Sequence, residues 1–152
     1  MSKKTVFVIG AGASNEIGLP IGSELKKSIR DILTFTSEHF QAGTGDEIID
    51  SALKLIEIGE KDQPLDKACS VIGKAMPLAQ SIDNFLDVRR DNKSIIACAK
   101  LAIVRAILQE EAKSKISGEN IEFDQIENTW FNGFFQKLTE NCQSKDLKER
   151  MK

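Results

Sequence analysis

A chain of 152 residues holds one domain comfortably and two only with difficulty. It is 41% hydrophobic and 29% charged with a formal net charge of −2, which permits a packed core and supplies no global drive toward nucleic acid. Basic residues are interleaved with acidic ones, as in Glu24-Leu25-Lys26-Lys27 and Asp146-Leu147-Lys148-Glu149-Arg150, the pattern of a solvated helix surface.

Three cysteines, Cys69, Cys98 and Cys142, are odd in number and far apart, so neither a disulfide framework nor a zinc ribbon is expected. His39 is the only histidine, which argues against zinc sites and histidine triads; no metal is expected. No run approaches the roughly 20 apolar residues that span a bilayer. Lys3-Lys4, the apolar run after them and Ala11-Gly12-Ala13 imitate an export signal, but the run is short and broken by glycine. A cytoplasmic protein is the expectation.

In chain order, Thr5-Val6-Phe7-Val8-Ile9 is β-branched and nearly all apolar, which predicts a strand of the parallel type, buried on both faces and ended by Gly10. A brief helical turn starts near Ala13 and Ser14, with Gly18 as its left-handed stop and Pro20 just beyond. Ser23 is positioned to cap a helix whose apolar stripe is Leu25, Ile29, Ile32 and Leu33. Ala42-Gly43-Thr44-Gly45 reads as a loop, after which Asp46 caps a second helix ending at Gly59.

Pro64 suits the first turn of a third helix carrying Leu65, Ala68, Cys69, Val71 and Ile72, and Pro77 terminates or kinks it. Ser81-Ile82-Asp83-Asn84 leads into another apolar turn, Phe85-Leu86. Residues 94–115 carry the strongest helix signal; between Ile95 and Leu108 only Lys100 and Arg105 are not apolar, so it belongs in the middle of the core. Residues 120–123 are a weak second strand. A final helix opens near Asn128 or Thr129 and carries Trp130, Phe131, Phe134, Phe135 and Leu138, while the charged residues 145–152 fray.

Gly10-Ala11-Gly12-Ala13-Ser14 follows the expected strand and opens a helical turn. Glycines let a ligand approach the backbone, and the first amides of a helix have no carbonyl upstream, so such a turn suits a pyrophosphate. Asn15 stands where the usual dinucleotide fingerprint needs its third glycine, which argues against a flavin or dehydrogenase site. A tight turn without a ligand is the plain alternative.

The longer string, with Gly18-Leu19-Pro20, Gly22 and Leu25, resembles the sirtuin-like family, and within it the bacterial branch found in anti-phage defence proteins. Ser81-Ile82-Asp83-Asn84-Phe85-Leu86 is similar to an internal segment of that branch. The resemblance implies an α/β fold, here a partial Rossmann-like domain over residues 1–152 that is mostly helical with one N-terminal strand. It implies NAD or an ADP-ribose-type nucleotide as ligand and cleavage of the nicotinamide–ribose bond. Gly10, Ala11, Gly12, Ala13 and Ser14 would lie around the phosphates, with Asn15, Gly18, Leu19 and Pro20 shaping the rim.

The chain lacks the zinc cysteine pairs of deacylating sirtuins and the family's later Asn-Tyr-Asp and His-Gly motifs. The expectation is therefore the phosphate-binding portion of a sirtuin-like NAD hydrolase, inactive alone. Asp83 is the one carboxylate weighed as a stand-in for catalysis, against the plainer role of capping the turn at Asn84. His39 reads as a surface residue, and Ser14 has no base near it in sequence. The aromatic set reads as core packing, with adenine stacking as the sharper alternative. The rival function is a non-catalytic helical module that works through a partner, and self-association or docking with a missing C-terminal half is expected in either case.

Overall fold

A computed structural model describes residues 8, 10–34, 44, 46–56, 62–117 and 123–139. Among them lie eight helices: α1 (Ala11–Glu16), α2 (Gly22–Leu33), α3 (Glu47–Leu53), α4 (Leu65–Ala75), α5 (Ile82–Asp87), α6 (Lys93–Glu111), α7 (Phe123–Ile126) and α8 (Trp130–Thr139). The expected α/β architecture is corrected to an α-rich one, since no strand occurs among the described residues. Val8, the only described member of the expected strand, is 94% exposed and in no ladder. Thr5, Val6, Phe7 and Ile9 lie outside the described residues, and of the weak second strand only Phe123 is described, where it opens α7.

The physical reason is partnership. A short apolar run becomes a buried strand only when a neighbour pairs with its amides and carbonyls, and apolar content alone does not distinguish it from other buried segments. The helical segments, by contrast, need no such partner for their backbones and assemble a core by themselves.

The chain divides into two compact units, residues 20–110 and residues 1–19 with 111–152. The larger unit holds a core built from Ile29, Ile32 and Leu33 of α2, Ile49 of α3, Ala68, Cys69 and Ile72 of α4, Ile82 and Phe85 of α5, and Ile95, Cys98, Ala99, Ala102 and Ala106 of α6. The four-residue spacing within α6 explains why its small residues share the buried side. Packing is close at the α2–α4 contact, where a Cβ on Gly73 would stand 3.2 Å from the Leu33 carbonyl oxygen.

Helix ends follow local chemistry in part: α3 stops at Leu53 rather than running on to Gly59, α6 stops at Glu111 rather than at residue 115, and two expected caps are replaced. Asp46 caps α3 by accepting from the Ile48 and Ile49 amides at 3.0 and 3.1 Å. Ser23, expected as a cap, sits inside the first turn of α2; Ile21 is the cap residue there, and its amide donates to Glu24 Oε2 at 2.9 Å. Asp83 does not cap either: Ser81 Oγ accepts from the Asn84 amide at 3.1 Å and opens α5. Ser81 stands immediately before the helix, where a side-chain oxygen reaches the third amide, whereas Asp83 lies inside the first turn. Pro64, expected in the first turn, is instead the cap residue that precedes α4, and Pro77 follows the helix end. The longest helix runs from Lys93 to Glu111 and the aromatic one from Trp130. Gly59, Cys142, residues 145–152 and the side chain of Leu138 lie outside the described residues.

Candidate functional site

In the smaller unit the glycine string folds as α1 and its cap. Gly10 is extended at φ −91° and ψ 169°, and the helix begins at Ala11, two residues earlier than expected. Gly10, Ala11 and Gly12 are exposed, and a Cβ placed on either glycine would meet nothing within 4 Å. Helical geometry leaves the first amides of α1 without an upstream carbonyl. The Ala13 amide is already engaged, donating to the Gly10 carbonyl at 3.1 Å.

The far end of α1 is closed tightly. Gly18 adopts φ +91°; its amide donates to the Asn15 carbonyl at 3.0 Å and the Leu19 amide donates to the Ser14 carbonyl at 3.0 Å. These two bonds form the paired C-terminal cap that a left-handed glycine permits. Asn15 Nδ2 adds a long bond to the Leu19 carbonyl at 3.4 Å. The Ile17 carbonyl accepts from the Lys115 amide at 2.9 Å, and Ile17 is buried. Of the expected rim residues, Gly18 and Leu19 thus build the cap, whereas Pro20 opens the larger unit.

Trp130 fixes α1 from the side. Its indole Nε1 donates to the Ala13 carbonyl at 2.7 Å, and its backbone amide donates to Glu16 Oε2 at 2.9 Å. Glu16 therefore supplies the N-terminal cap of α8, a favourable place for a carboxylate. The half-buried rings of α8 lean on one another: Trp130 meets Phe131 edge-on at 6.0 Å between centroids, and Phe131 stacks on Phe135 at 6.4 Å. The spacing predicts core packing; the rings instead lie half-buried against one another, and the docking on α1 was not foreseen. Only the bifunctional nature of tryptophan, an apolar body with one donor, hinted at it.

The remaining sequence candidates fall elsewhere. Asp83 is exposed in the first turn of α5, in the larger unit, and its neighbour Phe85 lies under the Arg89 guanidinium at 4.2 Å. His39 lies outside the described residues. Cys69 and Cys98 are free and buried, and the Cys98 thiol donates to the Leu65 carbonyl at 3.5 Å. The hydrogen bond with Cys98, reinforced by burial, pushes the Cys69 thiol well up, so it is a poor nucleophile. No group of three or more metal-ligating side chains occurs among the described residues.

A polar knot in the larger unit escaped the sequence reading. Asp46 Oδ2 accepts from Arg105 Nε at 2.9 Å and from Gln109 Nε2 at 3.2 Å, while its other oxygen caps α3. Thr44 is buried and donates through its amide and its hydroxyl to Asp50 Oδ1 at 2.9 and 2.8 Å. Burial pushes the Asp46 carboxyl up. The Arg105 bond, the Ile49 amide, the Arg105 charge and the Ile48 amide outweigh it and hold it below its ordinary value. Both oxygens are occupied by structural donors, so the knot ties α3 to α6. Its visible signal was Arg105, a charge inside an apolar run.

No family model matches the chain, and neither a curated protein nor a solved structure matches it.

Proposed function

We propose that this chain binds the diphosphate of NAD or of an ADP-ribose-type nucleotide at residues 10–14 and does not cleave it. The observation that carries the reading is the open approach to Gly10 and Gly12, at the start of a helix whose other end is fixed by Gly18 and whose flank is fixed by Trp130. The Ala11 and Gly12 amides would donate to phosphate oxygens, with the half-buried Ser14 hydroxyl nearby in the same helix. Each such bond to a charged acceptor contributes about 1.5–3 kcal/mol. Two of them give affinity on the order of millimolar, with no adenine or ribose contact counted.

The likeness of the Gly-Ala-Gly-Ala-Ser and Gly-Leu-Pro strings to the sirtuin-like opening motif supplies the choice of nucleotide. An anti-phage setting rests on the same likeness. Non-cleavage follows from what the sequence lacks: it contains no tyrosine and no His-Gly pair, so the family's later motifs have no counterpart.

Trp130 is the sole tryptophan and its indole is bonded to Ala13, which makes it a reporter of this loop. Titration with ADP-ribose is expected to change its fluorescence with saturation in the millimolar range, and incubation with NAD to release no nicotinamide. Constant fluorescence up to about 10 mM ligand would remove the binding claim, and steady nicotinamide release would remove the claim of inactivity. The second reading, a helical module acting through a protein partner, is favoured by the uncovered apolar residues Val104, Ile107 and Leu108 of α6, which are 55%, 40% and 53% exposed. It expects ADP-ribose to leave Trp130 unchanged.

A further inference from the structure

One side of α6 is committed to the core and to the Asp46 knot. The opposite side carries Lys93, Lys100, Val104, Ile107 and Glu111, spaced by sevens, fours and threes, with Leu108 beside them. All six are exposed. Alternating three- and four-residue spacing is the seam along which two helices meet. Along the helix axis the seam reads basic, then apolar, then acidic.

We propose that a second copy of this chain docks on this seam, α6 against α6 and antiparallel, about a twofold axis passing midway between Arg105 and Ala106. In that register Lys100 of each copy faces Glu111 of the other, and Val104 faces Ile107. The charge order selects the direction. A parallel pair would set Lys100 against Lys100 and Glu111 against Glu111, whereas the antiparallel pair opposes unlike charges and also opposes the helix dipoles. Closed twofold contacts are self-complementary in this way. Arg105 and Gln109 hold α6 to α3 through Asp46, so the seam is presented by a helix already fixed in place. The contact uses three apolar side chains per copy, few for a stable interface, so a weak dimer is expected. It uses no residue of the glycine string and stands apart from the nucleotide reading.

Sedimentation equilibrium of the full chain from about 10 μM to about 1 mM tests it, with the average mass rising toward the dimer. Ile107→Lys is expected to weaken association at least about tenfold by placing two like charges in the apolar centre. Lys100→Glu and Glu111→Lys are each expected to weaken it about threefold. The double reversal, Lys100→Glu with Glu111→Lys, is expected to return it to within about twofold of the original chain. All four variants change exposed positions, and thermal melts confirm that they fold. A chain that stays monomeric throughout, association indifferent to Ile107→Lys, or a double reversal no better than the single ones would each overturn the proposal.

Discussion

Among the described residues, the interior ties of the two units differ in kind. In residues 20–110 cohesion comes from apolar side chains of five helices; Asp46 and Arg105 are paired with each other, while the buried Ser94 Oγ has no hydrogen-bond partner among the described residues. In the smaller unit the described buried hydrophobics are Ile17 and Ile126, and the named ties are backbone and indole hydrogen bonds: Trp130 to Ala13, Trp130 to Glu16, Lys115 to Ile17. Burial scales with area and stabilises most, whereas directional bonds contribute little net energy and fix geometry. Among the described residues, buried area dominates in the larger unit and directed hydrogen bonds on a short stretch of backbone dominate in the smaller one.

Opening the apolar core of the larger unit has the largest expected effect. Ile72 is fully buried, so Ile72→Ala is expected to cost about 3–4 kcal/mol in urea unfolding at neutral pH. A loss under about 1 kcal/mol would mean that the core described for the larger unit does not carry its stability.

Second in size is the knot. Asp46→Ala removes the α3 cap and leaves Arg105 and Gln109 without their acceptor, an expected cost of about 2–3 kcal/mol. Because the folded carboxyl titrates below its unfolded value, its contribution is complete above about pH 4 and is lost as pH falls through the folded value. The gap between wild type and Asp46→Ala should therefore narrow under acid, and a gap that widens there would reverse the assigned sign.

The smaller unit should respond more locally. Trp130→Phe keeps the ring packing and deletes the donor to Ala13, an expected loss of about 1 kcal/mol. Hydrogen exchange would show it as faster exchange at the Gly18 and Leu19 amides while α2 to α6 keep their protection. Uniform acceleration through both units would dissolve the distinction between them.

The smallest stability effect carries the sharpest functional contrast. Gly12→Ala meets open space inside a helix, so it is expected to be neutral or to stabilise by up to about 1 kcal/mol. The added methyl would nevertheless stand where a phosphate must approach. Stability held or raised with ligand response lost would separate presentation of the backbone from cohesion.

Much of the helical layout was legible because its signals are local. Asp46 before an apolar stripe, Pro64 and Pro77 around α4, and Gly18 after a short turn each act through neighbours a few residues away. The spacing of Ile29, Ile32 and Leu33 likewise revealed which side of α2 is buried. The fold class was not legible, because a strand is defined by a partner that no local pattern reveals, and an apolar N-terminal run suggested one. The Asp46–Arg105 tie joins positions 59 residues apart and the Trp130–Ala13 tie joins positions 117 apart, so neither leaves a periodic trace. In the candidate site, the string and its left-handed glycine were visible in sequence, and the tryptophan that braces it was not.

The most direct measurement follows the backbone amides of the isotope-labelled chain by NMR as ADP-ribose is added. Saturable shifts are expected at Ala11 and Gly12 in the millimolar range, smaller ones at Ser14 and the Trp130 indole, none across the core of α2 to α6, and none at residues 10–14 when position 12 carries alanine. Amides at residues 10–14 that stay unmoved at about 10 mM ligand, or that move no more than the rest of the chain, would contradict the nucleotide reading.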